Sequence, residues 1–287
     1  EEMYQDGVCR ITSRLFSKSV MCEDINYAEA SDDEKAVLFE LYCKLVNYFG
    51  PSVGFELSVV CCPADMAEYR QMLAIAPQGD AFDEIRKEYS DMLVEQVSKS
   101  RYERRICLTY TIEADNVKQA RSRLGQIDSD VVGHFRALMV TAHPMDGYER
   151  LALLHKCLHL EERRKFRFNW DSLNGTGLSS KDYIAPSSFF FKNGRYFRTG
   201  ASFGAVSFLQ IRATKLYDTL LNSVLELEGS QIVSIHAKAL DQNAALKAVK
   251  RKLSDLDKAK IDEQKRAVRS GFDMDILPPD LVTFGKE

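Results

Sequence analysis

Apolar residues recur every three or four positions in several segments, which is the spacing of a helix with one buried face. The first such segment begins after Ser31, a residue suited to cap a helix, and ends at the helix-breaking pair Gly50 and Pro51. The second runs from about Asp80, its expected cap, to Ser98. The predicted buried stripes are Leu38, Leu41, Tyr42, Leu45, Tyr48 and Phe49 in the first helix, and Phe82, Ile85, Tyr89, Met92, Leu93 and Val97 in the second.

Strands alternate with these helices in the first 160 residues. Two more helices are expected, one at 116–133 with Asp115 as its cap, and one at 147–160. This alternation predicts a sheet covered by helices. Runs of β-branched and aromatic residues predict the strands at 8–25, 52–62, 104–114 and 135–143.

The composition becomes polar, basic and rich in turn formers after Leu160, which predicts an internal boundary. Beyond it, residues 188–200 predict a hairpin in which Asn193 and Gly194 form a type I′ turn. Two further strands are predicted at 204–211 and 230–240. The helix between them carries the apolar stripe Leu216, Leu220, Leu221, Val224 and Leu225.

A long helix follows the expected cap Asp241. Its residues Leu246, Val249, Leu253 and Leu256 step by three and four, as in a coiled-coil seam, and the pattern ends at Lys260. Together the elements predict an α+β fold with two sheet-containing lobes covered by helices. The expected division is a first lobe at 1–160, a second β-rich lobe at 161–240, and a connector helix with linker at 241–287.

Composition excludes some classes of protein. The chain has 287 residues, 45% of them apolar, which is enough to bury a core. Its net charge of −3 disfavours a dedicated duplex-DNA binder. The charge is uneven: residues 241–270 hold nine bases and five acids, while 1–60 hold five bases and eleven acids. Such asymmetry suits docking between charged surfaces.

The seven cysteines are odd in number and form no C-x-x-C motif, so we expect reduced, buried thiols in a cytosolic chain. No stretch approaches the roughly 20 apolar residues that a bilayer span requires. The first residue is Glu1 rather than methionine, and the sequence ends without a closing element, so we interpret it as a piece of a longer protein.

A glycine-rich segment near the boundary raises the question of nucleotide binding. In "GTGLSSK" the two glycines, Gly175 and Gly177, precede Lys181, but no glycine directly precedes the lysine and Asp182 follows it. A phosphate-binding Walker A loop needs G-x-x-x-x-G-K-[ST], because backbone amides, lysine and hydroxyl each hold a defined part of the phosphate. The spacing therefore predicts a turn-rich entry to the hairpin, without a nucleotide cofactor.

Other candidate chemistry is weak. His155 and His159 are four residues apart on a predicted helix, which would suit a metal, but no third ligand is evident and we expect surface or helix-end histidines. Glu113 could act as an acid or base near a strand end, although no partner can be named. Cys62 could be a nucleophile, but no motif supports it. We therefore predict no catalytic, cofactor-binding or metal-binding residue.

One cluster could contact a partner. Phe189, Phe190 and Phe191 lie beside Lys192, Arg195 and Arg198. Aromatic rings beside cations can stack the bases of single-stranded nucleic acid, whereas a hairpin core with a solvated edge is the more common arrangement. The six residues are thus candidate contacts for nucleic acid or for a protein, with the protein favoured.

Four stretches together resemble one family. They are "MYQDGVCRITSRLFSKSVMCEDINY" at the start, "GLSSKDYIAPSSFFF", "RYFRTGASFGAVSFLQI", and "VKRKLSDLDKAKIDEQKRAVRSGFDMDILPPDL" near the end. They are similar to the N-terminal region of the VirB, TrbE, CagE or TraC-type motor ATPases of conjugative type IV secretion systems. The nearest likeness is to the branch found in integrative and conjugative elements of Gram-positive bacteria.

The resemblance implies a non-catalytic docking and oligomerisation region of an ATPase that powers channel assembly and the transfer of DNA and protein. It implies contacts with inner-membrane channel components, with the protein's own C-terminal ATPase domain and with further copies. The location would be cytoplasmic, at the inner face of the cell membrane. No Walker motif occurs in this sequence, so ATP and Mg²⁺ are expected only in a C-terminal domain that lies outside it.

Two alternatives stay open. One is a guide for single-stranded nucleic acid that uses Phe189–Phe191 with Arg195 and Arg198, although we do not expect nucleic acid as a partner. The other is an enzyme with an unrecognised site around His155, His159 and Glu113.

Overall fold

The protein has the predicted α+β fold, with a seven-stranded antiparallel sheet, a separate three-stranded sheet and eight helices in the part of the chain described below. The computed structural model describes residues 2–25, 27, 29–64, 66–98, 102–159, 166–173, 176–200, 202–210, 221–227 and 229–270. The predicted helix stripe at Leu216 and Leu220 and the linker at 271–287 lie outside these residues.

The strands are β1 (Glu2–Met3), β2 (Cys9–Arg10), β3 (Leu15–Cys22), β4 (Val53–Pro63), β5 (Tyr102–Glu113), β6 (Ala142–Pro144), β7 (Phe189–Phe190), β8 (Phe197–Thr199), β9 (Ser202–Gly204) and β10 (Gln231–Lys238). The helices are α1 (Asp32–Tyr48), α2 (Met66–Leu73), α3 (Asp83–Ser98), α4 (Val117–Ala137), α5 (Gly147–Leu158), α6 (Ser180–Ile184), α7 (Asn222–Leu225) and α8 (Gln242–Ser270), with a 3-10 turn at Trp170–Leu173.

The large sheet has the order β1-β2-β3-β5-β4-β10, and β6 pairs with the far end of β3. The central strand β5 is hydrogen-bonded along most of its length to β3 on one side and to β4 on the other. The pairing of β10 with β4 adds the strand predicted at 230–240 to the sheet of the first lobe, whereas the sequence division had placed it in the second. All eight residues of β10 pair with residues of β4, and its β-branched side chains favour a strand at this position.

One face of the sheet is apolar and is covered by α1 and α4. Fully buried side chains of the strands, among them Phe16, Tyr110 and Ile112, pack against Leu124 and the rest of the inner stripe of α4. Because side chains alternate across a strand, residues in register on three neighbouring strands present one continuous surface to the helix. This is the main hydrophobic core. The inner stripe of α4 comprises Ala120, Leu124, Ile127, Val131 and Phe135.

A buried polar contact joins α4 to this face of the sheet. Asp128 accepts hydrogen bonds from the Lys18 ammonium of β3 and from the Tyr110 hydroxyl of β5. Burial raises the pKa of Asp128, and the Lys18 charge opposes that rise only in part. The three side chains satisfy one another in an otherwise apolar layer, so they fix the position of α4 along the strands.

The opposite face of the sheet is polar near its centre. Ser19 and Thr109 share a hydrogen bond of 2.8 Å between their hydroxyls. Arg150 of α5 donates to the carbonyl oxygens of Gly7 (2.7 Å) and Ser17 (3.0 Å), which ties α5 to the first strands. Gly7 allows this close approach, because its φ of 80° favours glycine and a Cβ there would lie 2.0 Å from the Met145 carbonyl oxygen.

Several element boundaries differ from the prediction. The predicted strand at 135–143 is wrong at its start, since Phe135 continues the buried stripe of α4 four residues after Val131, and only the end of the segment enters β6. The cap of α4 is Asn116, whose side chain accepts from the Gln119 amide, and Asp115 instead pairs with Arg14. The caps at Ser31 and Asp241 are confirmed.

The stripe predicted to be buried on α3 is exposed. Phe82 keeps 61% of its surface accessible, and Ile85, Tyr89 and Met92 are also exposed. Helix α3 packs on α2 through its other side, where the Ser90 hydroxyl accepts from the Ile75 amide. Periodicity predicted the helix correctly, but it could not tell whether another element covers the stripe.

Replacement of Leu124 by alanine should lower the free energy of unfolding by about 2–5 kcal/mol, because it leaves a cavity in the core between α4 and the sheet. Replacement of Ile85 by alanine should change it by about 0.5 kcal/mol or less, since that side chain lies on the exposed stripe of α3. Urea unfolding followed by circular dichroism measures both. Equal losses in the two variants would contradict the described burial.

Candidate protein-interaction surface

The small sheet, β7-β8-β9, brings together the six residues that the sequence marked as candidate contacts. We call it the aromatic sheet and define it as residues 189–204. Strands β7 and β8 are paired through Phe189 with Thr199 and through Phe190 with Arg198. The connecting loop therefore spans 191–196, and the predicted two-residue type I′ turn is wrong: Asn193 has no positive φ, and its side chain accepts from the Arg195 amide instead. A positive φ at Gly200 makes the next turn, into β9.

One face of the aromatic sheet is a row of phenylalanine rings. The ring centroids of Phe189 and Phe191 lie 5.6 Å apart in a stacked arrangement, and Phe191 lies 5.7 Å from Phe197. The Phe197 ring lies against Gly204, where a Cβ would come within 2.5 Å of it. Glycine at this position thus lets the ring lie flat, while Phe189 and Phe191 stay exposed.

On the other face of the aromatic sheet, aromatic rings lie beside a cation. The Arg198 guanidinium lies 5.5 Å from the centroid of the Phe190 ring and pairs across the strands with Phe203. Tyr196 meets Phe203 edge to face at 5.7 Å. Phe190, Tyr196 and Phe203 all remain exposed, so this face also presents aromatic surface to solvent.

The charge of this region has one sign. Residues 187–210 contain Lys192, Arg195 and Arg198 and no aspartate or glutamate. The strand predicted at 204–211 is wrong, because β9 ends at Gly204 and residues 205–210 form no strand and are exposed, with Phe208 98% accessible; residue 211 lies outside the described residues. The sequence-based prediction did not include Tyr196 and Phe203, which belong to this surface, or the exposed Phe208 that follows it in the chain. The signal for them was the absence of acids across the whole segment.

An exposed surface of this composition is suited to bind another molecule. Large apolar rings left in contact with water are costly, and contiguous apolar patches mark interaction sites. Aromatic residues and arginine are the side chains that contribute most to protein interfaces. The cations would favour a partner with acidic groups beside apolar ones.

The two histidines of the predicted pair lie against each other inside the fold. Both lie at the end of α5, as one of the two predicted positions had it, but their rings are buried and stack with centroids 4.0 Å apart. Nδ1 of His159 lies 2.9 Å from the backbone oxygen of His155 at the end of α5. Phe166 packs on His155, so the pair holds the segment after α5 against the helix. No group of three potential metal ligands occurs in the described ranges.

The Cys62 thiol is held in its protonated form. It donates to the Glu103 carboxylate at 3.3 Å, and burial together with that negative charge raises its pKa to about 11. Because the thiolate is the nucleophilic form, this environment opposes covalent catalysis. Glu113 lies at the opposite end of β5 from Glu103, the residue that contacts α5. Its backbone carbonyl accepts from Arg123.

Glu103 is the centre of a small ion cluster. Its carboxylate accepts from Lys156 at 2.7 Å and from Arg105 at 3.1 Å. Burial alone would raise the pKa of Glu103, but the hydrogen bond from Lys156 and the Arg105 charge outweigh it and hold the pKa below its usual value. The cluster links α5 to β5.

The lysine of the glycine-rich segment lies in the short helix α6. The Asp182 carboxylate occupies the start of this helix, accepting from the backbone amide of Ser179 at 2.7 Å and from its hydroxyl at 3.0 Å. A phosphate would compete there with a carboxylate already in place. Residues 174 and 175 lie outside the described residues.

Comparison with known proteins adds no family assignment: no protein-family model matches the chain, and a search of curated proteins finds no match. Within the described segments, no helix has the length and apolar character to cross a membrane.

Acid should weaken the contribution of Glu103 to stability. A carboxyl group with a lowered pKa in the folded state stabilises the protein above its unfolded pKa, which lies near 4.5, and this contribution is lost as the pH falls through the lower folded value. The loss in unfolding free energy caused by Glu103→Gln should therefore be largest near pH 7 and shrink below about pH 4.5. Denaturant unfolding of both proteins between pH 7 and pH 3 measures the difference. Glu84→Gln, on the exposed side of α3, is the control, and a difference for Glu103→Gln that does not change with pH would contradict the ion cluster.

Proposed function

We propose that this chain is the N-terminal docking and oligomerisation region of a motor ATPase of a conjugative type IV secretion system. In this proposal it does no chemistry itself. It attaches the motor to inner-membrane channel components at the cytoplasmic face of the membrane. ATP and Mg²⁺ act in a C-terminal motor domain of the same protein.

The aromatic sheet is the observation that carries the docking role. Its rings are exposed on both faces, and it carries three cations and no acids. Its residues also belong to "SSFFF" and "RYFRTGASFG", two of the stretches on which the resemblance rests. A surface of this kind supports a protein partner that offers acidic and apolar groups together.

A non-catalytic role is supported by how the candidate reactive groups are used. The Cys62 thiol has a raised pKa, the histidine pair is stacked and buried, and Lys181 follows no phosphate-binding loop. The thiol and the histidine pair are each engaged in contacts within the fold.

One observation favours a second candidate, the guide for single-stranded nucleic acid. Arg198 over the Phe190 ring, next to exposed Phe191, is an arrangement on which bases can stack. The two candidates use the same residues, so they differ in partner and not in site.

Binding to purified inner-membrane channel components in detergent tests the docking role. The double variant Phe191→Ala with Phe203→Ala should weaken binding about tenfold or more, because it removes two exposed rings from the interface. Biolayer interferometry with the immobilised chain measures the affinities. Phe39→Ala is the matched control, since Phe39 of α1 is as exposed as Phe203, at 66% each, but lies outside the aromatic sheet.

Three results would contradict the proposal. They are equal affinities for the double variant and the parent chain, saturable binding of a fluorescent ATP analogue with Mg²⁺, and submicromolar binding of a labelled single-stranded oligonucleotide. A steep fall of oligonucleotide affinity with salt would favour the guide, since cations that contact phosphates release counterions.

A further inference from the structure

Helix α3 presents an exposed apolar stripe beside an acidic ridge. Phe82, Ile85, Tyr89 and Met92 form the stripe, and all four are exposed. Four acids recur at intervals of four, three and four residues, which places them along one side of the stripe. These acids are Glu84, Glu88, Asp91 and Glu95, and each is exposed.

Helix α8 presents an exposed apolar line flanked by basic residues. Leu246, Val249 and Leu253 lie on one line of the helix and are exposed, and Leu256 continues that line. At 100° per residue, Lys250 and Lys252 lie on the two sides of this line. Residues 241–270 hold nine bases and five acids, against two bases and five acids in α3.

The two stripes do not cover each other within one chain, because both are exposed in the same structure. Each is a narrow line of apolar residues at helical spacing, the shape that a second helix covers by seam packing. Pairing α3 with a second α3 would bring two acidic helices together, and pairing α8 with a second α8 would bring two basic helices together. Charge complementarity leaves α3 against α8 as the favoured pair.

We propose that α8 of one copy of this chain docks on α3 of a second copy, with the apolar stripes in contact and one of the two lysines that flank the α8 line, Lys250 or Lys252, beside the acidic ridge. The proposal deepens the oligomer-forming part of the proposed function and rests on it. It specifies which surface of each copy forms the junction.

A basic amphipathic helix can also lie on an anionic membrane, but α8 fits that role less well. Surface-lying helices have a broad apolar face with aromatic anchors, whereas the apolar line of α8 is narrow and contains only leucine and valine between 246 and 256. Moreover, the acidic complement to α8 is present on the same chain. A second copy is therefore the occupant to which we commit.

Two charge-reversal variants test the junction. Glu84→Lys with Glu88→Lys changes α3, and Lys250→Glu with Lys252→Glu changes α8. Each variant should weaken self-association about tenfold or more in sedimentation velocity, because like charges would then face each other. Self-association of the parent chain should also weaken with added salt, since the charges are exposed.

The decisive experiment mixes the two variants. Each keeps one intact surface, so the two together should form a complex through one α3–α8 junction, although neither self-associates. Arg251→Glu with Lys258→Glu is the matched control. It makes the same charge change on α8, but these residues lie on the back of the helix, away from the apolar line, so self-association should be unaffected.

Several outcomes would overturn the proposal. They are a parent chain that stays monomeric at its highest soluble concentration, a mixture that does not associate, and a back-face variant that is as defective as the stripe variants. Loss of binding to vesicles of anionic phospholipid in the α8 variant, with unchanged self-association, would instead assign α8 to the membrane. These experiments measure self-association and do not measure binding to channel components. A negative result would therefore contradict the α3–α8 junction without contradicting the docking role.

Discussion

The fold depends on the pairing of β5 with both of its neighbours. With hydrogen bonds to β3 on one side and to β4 on the other, β5 leaves only the two faces of the sheet to be buried. Helices α1 and α4 cover one face, and Tyr48 of α1 donates to Asp130 of α4 at 2.7 Å, which joins the two helices into one layer. The buried contact of Asp128 with Lys18 and Tyr110 then sets α4 along the strands. Helix α5 lies on the opposite face, where Leu153 is buried with Val60 and Cys107 of the strands.

Three groups of exposed apolar residues lie on elements outside the helices that cover the large sheet. Helix α3 packs on α2 instead of the sheet, helix α8 begins after the edge strand β10, and the aromatic sheet pairs only within itself among the described strands. Each carries rings or aliphatic side chains that a larger core would have buried. Contiguous exposed apolar patches of this kind are typical of interaction sites.

Much of the fold followed from local sequence signals. The stripe of α1 apart from the exposed Tyr42, the helix α4, the cap at Ser31 and the long strands β4 and β5 were predictable, because periodicity and caps depend on neighbouring residues. The exposure of Phe82 and the pairing of β10 with β4 were not, because both depend on which distant element is present. The prediction of a two-residue turn at Asn193 was wrong for a different reason. Phe190 pairs with Arg198, so the loop between the strands is longer than the local sequence indicated.

The sequence identified the cluster of candidate contacts around Phe189. It did not show that these residues lie on two opposite faces of a sheet. Alternation along β7 sends Phe189 and Phe190 to opposite faces, and only the pairing with β8 shows that Arg198 meets Phe190 while Phe197 shares the face of Phe191. The prediction that Lys181 is not a phosphate ligand rests on motif spacing alone. By contrast, the stacking of His155 on His159 needed the end of α5, where the backbone turns the second ring onto the first.

The three exposed surfaces differ in the partner that each can accept. A junction between copies of one chain must find its complement on that chain, and the long stripes of α3 and α8 match each other in length and in charge. The aromatic sheet is short, flat and exposed on both faces, so a single helix would cover only one of its faces. Its shape is better matched by a different molecule that wraps around it. We therefore propose that α3 and α8 serve assembly of the protein with itself and that the aromatic sheet serves attachment to a different molecule.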